Sequence, residues 1–118
     1  EIISSANRCA AVSLAEDGQA IYLRKTDGNL EKDTLDGKTI WSVSADLDAM
    51  PNPPVEKDGI VYVCSRLGLL LAIRASDGVK VWQYQAAPQL YVYGGITVHD
   101  GVVYVTGSDG SVTAVSAH

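Results

Sequence analysis

Short apolar runs broken by glycine-bearing turns fill the chain. Residues 54–85 show the pattern best. Segments 54–57, 60–65, 69–75 and 79–84 read as four strands, separated by Asp58-Gly59, Leu67-Gly68 and Asp77-Gly78. Asp-Gly between two β runs is a hairpin signal, because tight primed turns need positive φ, which glycine and aspartate tolerate best. The segment therefore predicts a four-strand antiparallel meander. Two of its strands, 60–64 and 69–73, are almost continuously apolar. A strand with one wet face alternates. These two are expected to be buried on both faces, as in a small sheet held between two others.

The pattern recurs. Asp-Gly stands at Asp17-Gly18, Asp58-Gly59 and Asp100-Gly101, with spacings of 41 and 42. A tyrosine follows each pair, at Tyr22, Tyr62 and Tyr104, and a glycine follows each tyrosine by six residues, at Gly28, Gly68 and Gly110. A further Asp-Gly at Asp36-Gly37 and Asp77-Gly78 precedes Trp41 and Trp82, each four residues past the glycine. A fixed period of this length marks a repeat architecture. Three copies are expected at about 11–44, 54–85 and 96–117, the last without its fourth strand. The recurring tryptophans predict packing from one copy to the next. In copy one the third strand reads Asn29-Leu30-Glu31-Lys32-Asp33-Thr34. So polar a strand predicts an exposed edge or a terminal, capping copy.

Composition narrows the function classes. Apolar residues are 47% of the chain, which excludes a disordered tail. The net charge of −5, with scattered Lys and Arg, argues against nucleic acid and anionic membrane surfaces as partners. No stretch approaches the length of a spanning helix, so no membrane insertion is expected. Cys9 and Cys64 fit no metal-knuckle or C-x-x-C spacing, and leave two readings: two buried thiols or one disulfide. His99 and His118 lack a nucleophile at a telling spacing.

The stretches DGIVYVCSRLGLLLAIRASDGVKVW (residues 58–82) and DGVVYVTGSDGSVTAVSA (residues 100–117) resemble the PQQ-type β-propeller repeat. The resemblance covers about residues 11–117 and is degenerate in copy one. It implies an all-β fold of four-stranded propeller blades, here a partial propeller. The family includes quinoprotein dehydrogenases and outer-membrane assembly scaffolds, and it implies a periplasmic or extracellular location. The dehydrogenases are similar to eight-blade rings holding a quinone and calcium, with adjacent cysteines in the alcohol-oxidising branch. This chain has no adjacent cysteines, and Asp46 and Asp48 lack the glycine and distal glutamate of a calcium loop. A non-catalytic scaffold or binding module, with no catalytic, metal or cofactor residues, is therefore expected. The alternatives are part of a PQQ-dependent dehydrogenase, with PQQ and calcium, and the recognition domain of a larger enzyme or sensor.

Propeller geometry places the turns between second and third strands, and the connections between blades, on one face. The expected partner-binding residues are Arg66 and Leu67 in such a turn, and Asp46, Asp48, Tyr91 and Tyr93 in the two long connections. Tyrosine is enriched at interfaces, and loops on a rigid scaffold carry binding. Three blades do not close a ring. Another chain, the remaining blades of a longer one, or a second copy in a homo-oligomer is expected to complete the propeller, beside a protein ligand. Glu1 falls where a preceding tryptophan strand would end, which reads as a cut through a continuous array.

Overall fold

The computed structural model describes residues 9–45, 47, 52–65, 68–85, 96–106 and 110–117. Eleven strands and no helix occur among them. The first sheet is β1 (Cys9–Leu14), β2 (Ala20–Lys25), β3 (Asn29–Thr34) and β4 (Thr39–Ser44). The second is β5 (Val55–Lys57), β6 (Ile60–Cys64), β7 (Leu69–Arg74) and β8 (Lys80–Gln85). The third has three strands, β9 (Thr97–His99), β10 (Val102–Thr106) and β11 (Val112–Ser116). Every neighbouring pair is antiparallel and consecutive in the chain, so each sheet is a meander. This is the expected all-β blade architecture.

The turns explain the meanders locally. Asp58 (φ 54°) and Gly59 (φ 81°), like Asp100 (φ 50°) and Gly101 (φ 74°), are both left-handed, which a two-residue primed hairpin requires. Asp17-Gly18 is built differently. Its loop is longer, closed by hydrogen bonds from Ala15 N to Ala20 O and from Gly18 N to Ala15 O, and only Gly18 has positive φ.

The sheets stack through two apolar seams. In the first, Tyr22, Leu30 and Trp41 of the first sheet meet Val61, Val63, Leu71 and Ile73 of the second. In the second seam, Tyr62, Cys64, Leu70 and Ala72 meet Val103 and Val105 of the third sheet. Strands β6 and β7 thus send alternate residues into opposite seams. That is why their sequences are apolar at every position. Of the two readings of polar β3, an exposed edge or a terminal copy, the edge is excluded: the strand lies inside its sheet, bonded to β2 and β4. Its acidic residues fall on the face turned away from the second sheet, where Glu31 and Asp33 stand at the repeat positions of Leu71 and Ile73, while Lys32 faces the seam.

A β-bulge interrupts the last hairpin at the same place in both complete sheets, between Lys32 and Asp33 and between Ala72 and Ile73. It leaves Ile40 and Val81 unpaired. A bulge re-aims the residue beside it, and the next residues are Trp41 and Trp82, which point into the seams.

Candidate functional site

The seams position everything that the described residues offer for binding. Tyr22 and Trp41 pack with ring centroids 6.0 Å apart, and Tyr62 and Trp82 repeat that contact at 6.0 Å. The Trp41 indole donates to Ala75 O at 2.8 Å, and the Trp82 indole to Ala117 O at 3.1 Å. Lys32 Nζ also donates to Ala75 O, at 2.9 Å, and lies 5.6 Å from the Tyr22 ring centroid. Each tryptophan therefore clamps its own sheet to the end of the third strand of the next.

One face of the stack carries the loops. Ala45 N and Leu47 N both donate to Gly28 O at 3.1 Å, which ties the connection after β4 to the β2–β3 turn. Arg24, at the same end of β2, is fully buried, with 0% exposure. Its Nη1 donates to Asn52 O at 3.1 Å and to Cys64 O at 2.7 Å. A buried guanidinium is tolerable only when such acceptors replace water. Arg24 thus joins the end of that connection to the end of β6, as a buried floor at this end of the stack.

The opposite face carries the Asp-Gly turns. The Tyr22 hydroxyl donates to Glu56 Oε1 across the seam, Glu16 Oε1 accepts from Asp58 N at 2.8 Å, and Lys57 Nζ lies 3.7 Å from Glu16 Oε2. Burial, then the hydrogen bond to Glu56, pushes the Tyr22 phenol far above its ordinary pKa, so it stays a donor. Burial and the charge of Asp58 raise Tyr62 as well.

On the outer face of the first sheet, Glu31 and Asp33 lie side by side. Burial first, then hydrogen bonding to Asp33 and its charge, raises the Glu31 pKa. Asp33 is 5% exposed, and among the described residues no donor reaches its Oδ1. At the β7–β8 turn, Arg74 and Asp77 form an exposed pair at 2.8 Å that lowers the Asp77 pKa.

All six expected partner-binding residues, Asp46, Asp48, Arg66, Leu67, Tyr91 and Tyr93, lie outside the described residues. Their described neighbours Ala45, Leu47 and Ser65 are buried at the Arg24 floor. Arg24 itself escaped sequence reading, since an arginine in a strand ordinarily signals a wet position. Glu56 escaped too. The comparison that exposes it is position by position, since Glu56 and Val98 hold the same place in successive copies. The cysteines are not joined to each other. Cys64 is buried, whereas Cys9 is exposed near the start of β1, so the paired burial expected for them does not hold. Among the described residues no three His, Cys, Asp or Glu side chains are placed to hold a metal ion.

Comparison with known proteins agrees with this geometry. The Escherichia coli (strain K12) outer membrane protein assembly factor BamB is 31% identical over 71 residues, 53% of this chain and 18% of that protein. The Pseudomonas putida quinohemoprotein alcohol dehydrogenase ADH-IIG is 30% identical over 87 residues, 65% of this chain and 12% of that protein. The chain thus spans less than a fifth of either relative. Among solved structures, BamB from Moraxella catarrhalis superposes with a TM-score of 0.72 at 17% identity, covering 85% of this chain and 35% of that one. A europium-containing methanol dehydrogenase gives 0.72 at 16% identity, covering 85% and 21%. These two likenesses establish the propeller fold. Residues 26–118 match the family model described as outer membrane protein assembly factor BamB. With most of its length matched, the chain belongs to that family of PQQ-type propeller-repeat proteins.

Proposed function

We propose that this chain is a non-catalytic propeller scaffold that binds a protein through its loop face, in the periplasm or outside the cell. The observation that carries the reading is the Arg24 floor. A guanidinium with 0% exposure holds Asn52 O and Cys64 O, so the end of the connection after β4 and the end of β6 share one buried anchor. Binding residues on loops held by a rigid frame are the common solution to protein recognition. Membership in a family described by an assembly factor supports the same reading.

Further blades complete the ring, from the same polypeptide, another chain or a second copy. Tyr104 is 37% exposed where Tyr22 and Tyr62 are buried, and Val112 is exposed where Leu30 and Leu70 are buried. This face of the third sheet has the chemistry of a seam. Light scattering on a sizing column tests the point: a discrete closed species supports it, and a stable, compact monomer overturns it. The loop face is tested by affinity capture with the full chain against a Tyr91→Ser/Tyr93→Ser variant, with Lys38→Glu on the other face as control. Partners lost only from the loop-face variant support the reading. Equal capture by all three sinks it.

The similarity to the quinohemoprotein alcohol dehydrogenase favours one alternative, a part of a PQQ-dependent enzyme. Among the described residues no group of three His, Cys, Asp or Glu is placed to hold a metal ion. Titration of PQQ and calcium into the full chain decides between the readings. A saturable change in the near-UV to visible absorbance favours the enzyme, and none favours the scaffold.

A further inference from the structure

The two seams differ at one point on the turn face. In the first seam the Tyr22 hydroxyl donates to Glu56 on β5. In the second, the place of Glu56 is taken by Val98 on β9. Glu56 pairs with Val61 and Val98 with Val103, so the two positions are equivalent in register as well as sequence. Tyr62 is the counterpart of Tyr22 and only 3% exposed, and Val98 offers its hydroxyl no carboxylate of the kind Glu56 offers Tyr22. A second donor lies close to it, on the exposed Asp100-Gly101 turn. Asp58 N donates to Glu16 Oε1, whereas the equivalent Asp100 N faces a turn in which the residue before Asp-Gly is Lys57, a donor.

Where the carboxylates would stand there is a cavity of about 240 Å³, lined by Lys57, Asp58, Ile60, Tyr62, Val98 and Asp100, with Gly101 and Ala117 behind. One wall is polar, with Tyr62 and Lys57 as donors beside the Asp58 and Asp100 side chains; the other, Ile60, Val98 and Ala117, is apolar. We propose that this cavity binds a short aliphatic monocarboxylate, its head group in the place that Glu56 fills in the first seam. The carboxylate accepts from the Tyr62 hydroxyl and from Asp100 N, and the alkyl chain lies on Ile60 and Val98. Hydrogen bonds to an ionised acceptor are the strong kind. Asp58 and Asp100 do not forbid the anion. The first seam already holds the Glu56 carboxylate beside Glu16 and Asp17, with Lys57 as the nearby cation. The raised pKa of Tyr62 keeps its proton available to donate.

The site is on the face opposite the loops and is independent of the scaffold reading. The test is titration of the full chain with sodium butyrate, followed by the NMR shifts of the Asp100 and Gly101 amides, with butylammonium chloride as control. Saturable shifts with butyrate alone, at a Kd on the order of millimolar, are expected. Tyr62→Phe, which removes one donor to a charged group, weakens binding about tenfold. Val98→Glu places a carboxylate in the cavity from within, and abolishes the response. No saturable shift, equal shifts with butylammonium, or unchanged affinity in Tyr62→Phe overturns the proposal. The phenylalanine variant keeps the test decisive if Val98→Glu fails to fold.

Discussion

The indole nitrogen of Trp41 donates to the carbonyl oxygen of Ala75 at 2.8 Å, joining the last strand of one sheet to the end of the third strand of the next. The same bond, from Trp82 to Ala117, recurs one repeat later. It makes each seam more than an apolar contact, because it fixes the rotation of one sheet on another. Trp41→Phe keeps most of the packing and removes the bond, while Lys32 still serves the carbonyl. A loss of about 1 kcal/mol is expected. Trp41→Ala also opens a cavity, for about 3–5 kcal/mol. Urea midpoints of the two variants separate the hydrogen bond from the ring.

Gly78 shows how closely that ring is held. A Cβ there would lie 2.8 Å from Trp41 Cδ2, and the residue has φ +77°. Gly59 has a similar φ of +81° with nothing within 4 Å. Gly59→Ala therefore costs about 1 kcal/mol of backbone strain. Gly78→Ala adds overpacking against the indole, for about 3 kcal/mol in all. Equal losses in thermal unfolding would show that Trp41 moves aside freely.

Arg24→Met leaves the carbonyls of Asn52 and Cys64 without their buried donor. A loss of about 3 kcal/mol is expected by chemical denaturation. Limited proteolysis supplies a second readout, with faster cleavage in the connection after β4. Arg24→Lys recovers only part of the stability, because an ammonium lacks the planar fork. Full recovery by lysine would mean that charge alone matters here.

Glu31 makes stability depend on pH. Its pKa is raised by burial and by Asp33, so the folded chain holds the proton more tightly than the unfolded chain does. The favourable contribution is complete below the unfolded value of about 4.3 and is lost as pH rises through the folded value. Glu31→Gln keeps a donor for Asp33 at every pH. The variant is expected to match the wild type in acid and to be the more stable near pH 7. Urea midpoints across that range check this, and a gap that does not widen with pH would refute it.

The period of Asp-Gly, Tyr, Gly and Trp was enough to read out the meanders, since hairpins are made by residues adjacent in the chain. The unbroken apolar runs of β6 and β7 likewise betrayed two seams. Polarity misled at β3 only in allowing an edge, because a strand can be central in its sheet and still turn Glu31 and Asp33 away from the neighbouring blade. The bulge that aims Trp41 left no mark in the spacing.

The amino-acid sequence by itself determined the repeat, the strands and the antiparallel order, because each rests on local turn chemistry and a period of two along a strand. Only the tertiary structure decided what crosses the seams. Tyr22 meets Glu56 from 34 residues away, and Arg24 meets Cys64 from 40. Those meetings depend on how one finished sheet rests on another. The same tyrosine is satisfied in one seam and faces a cavity in the next, because a single distant position changes from glutamate to valine.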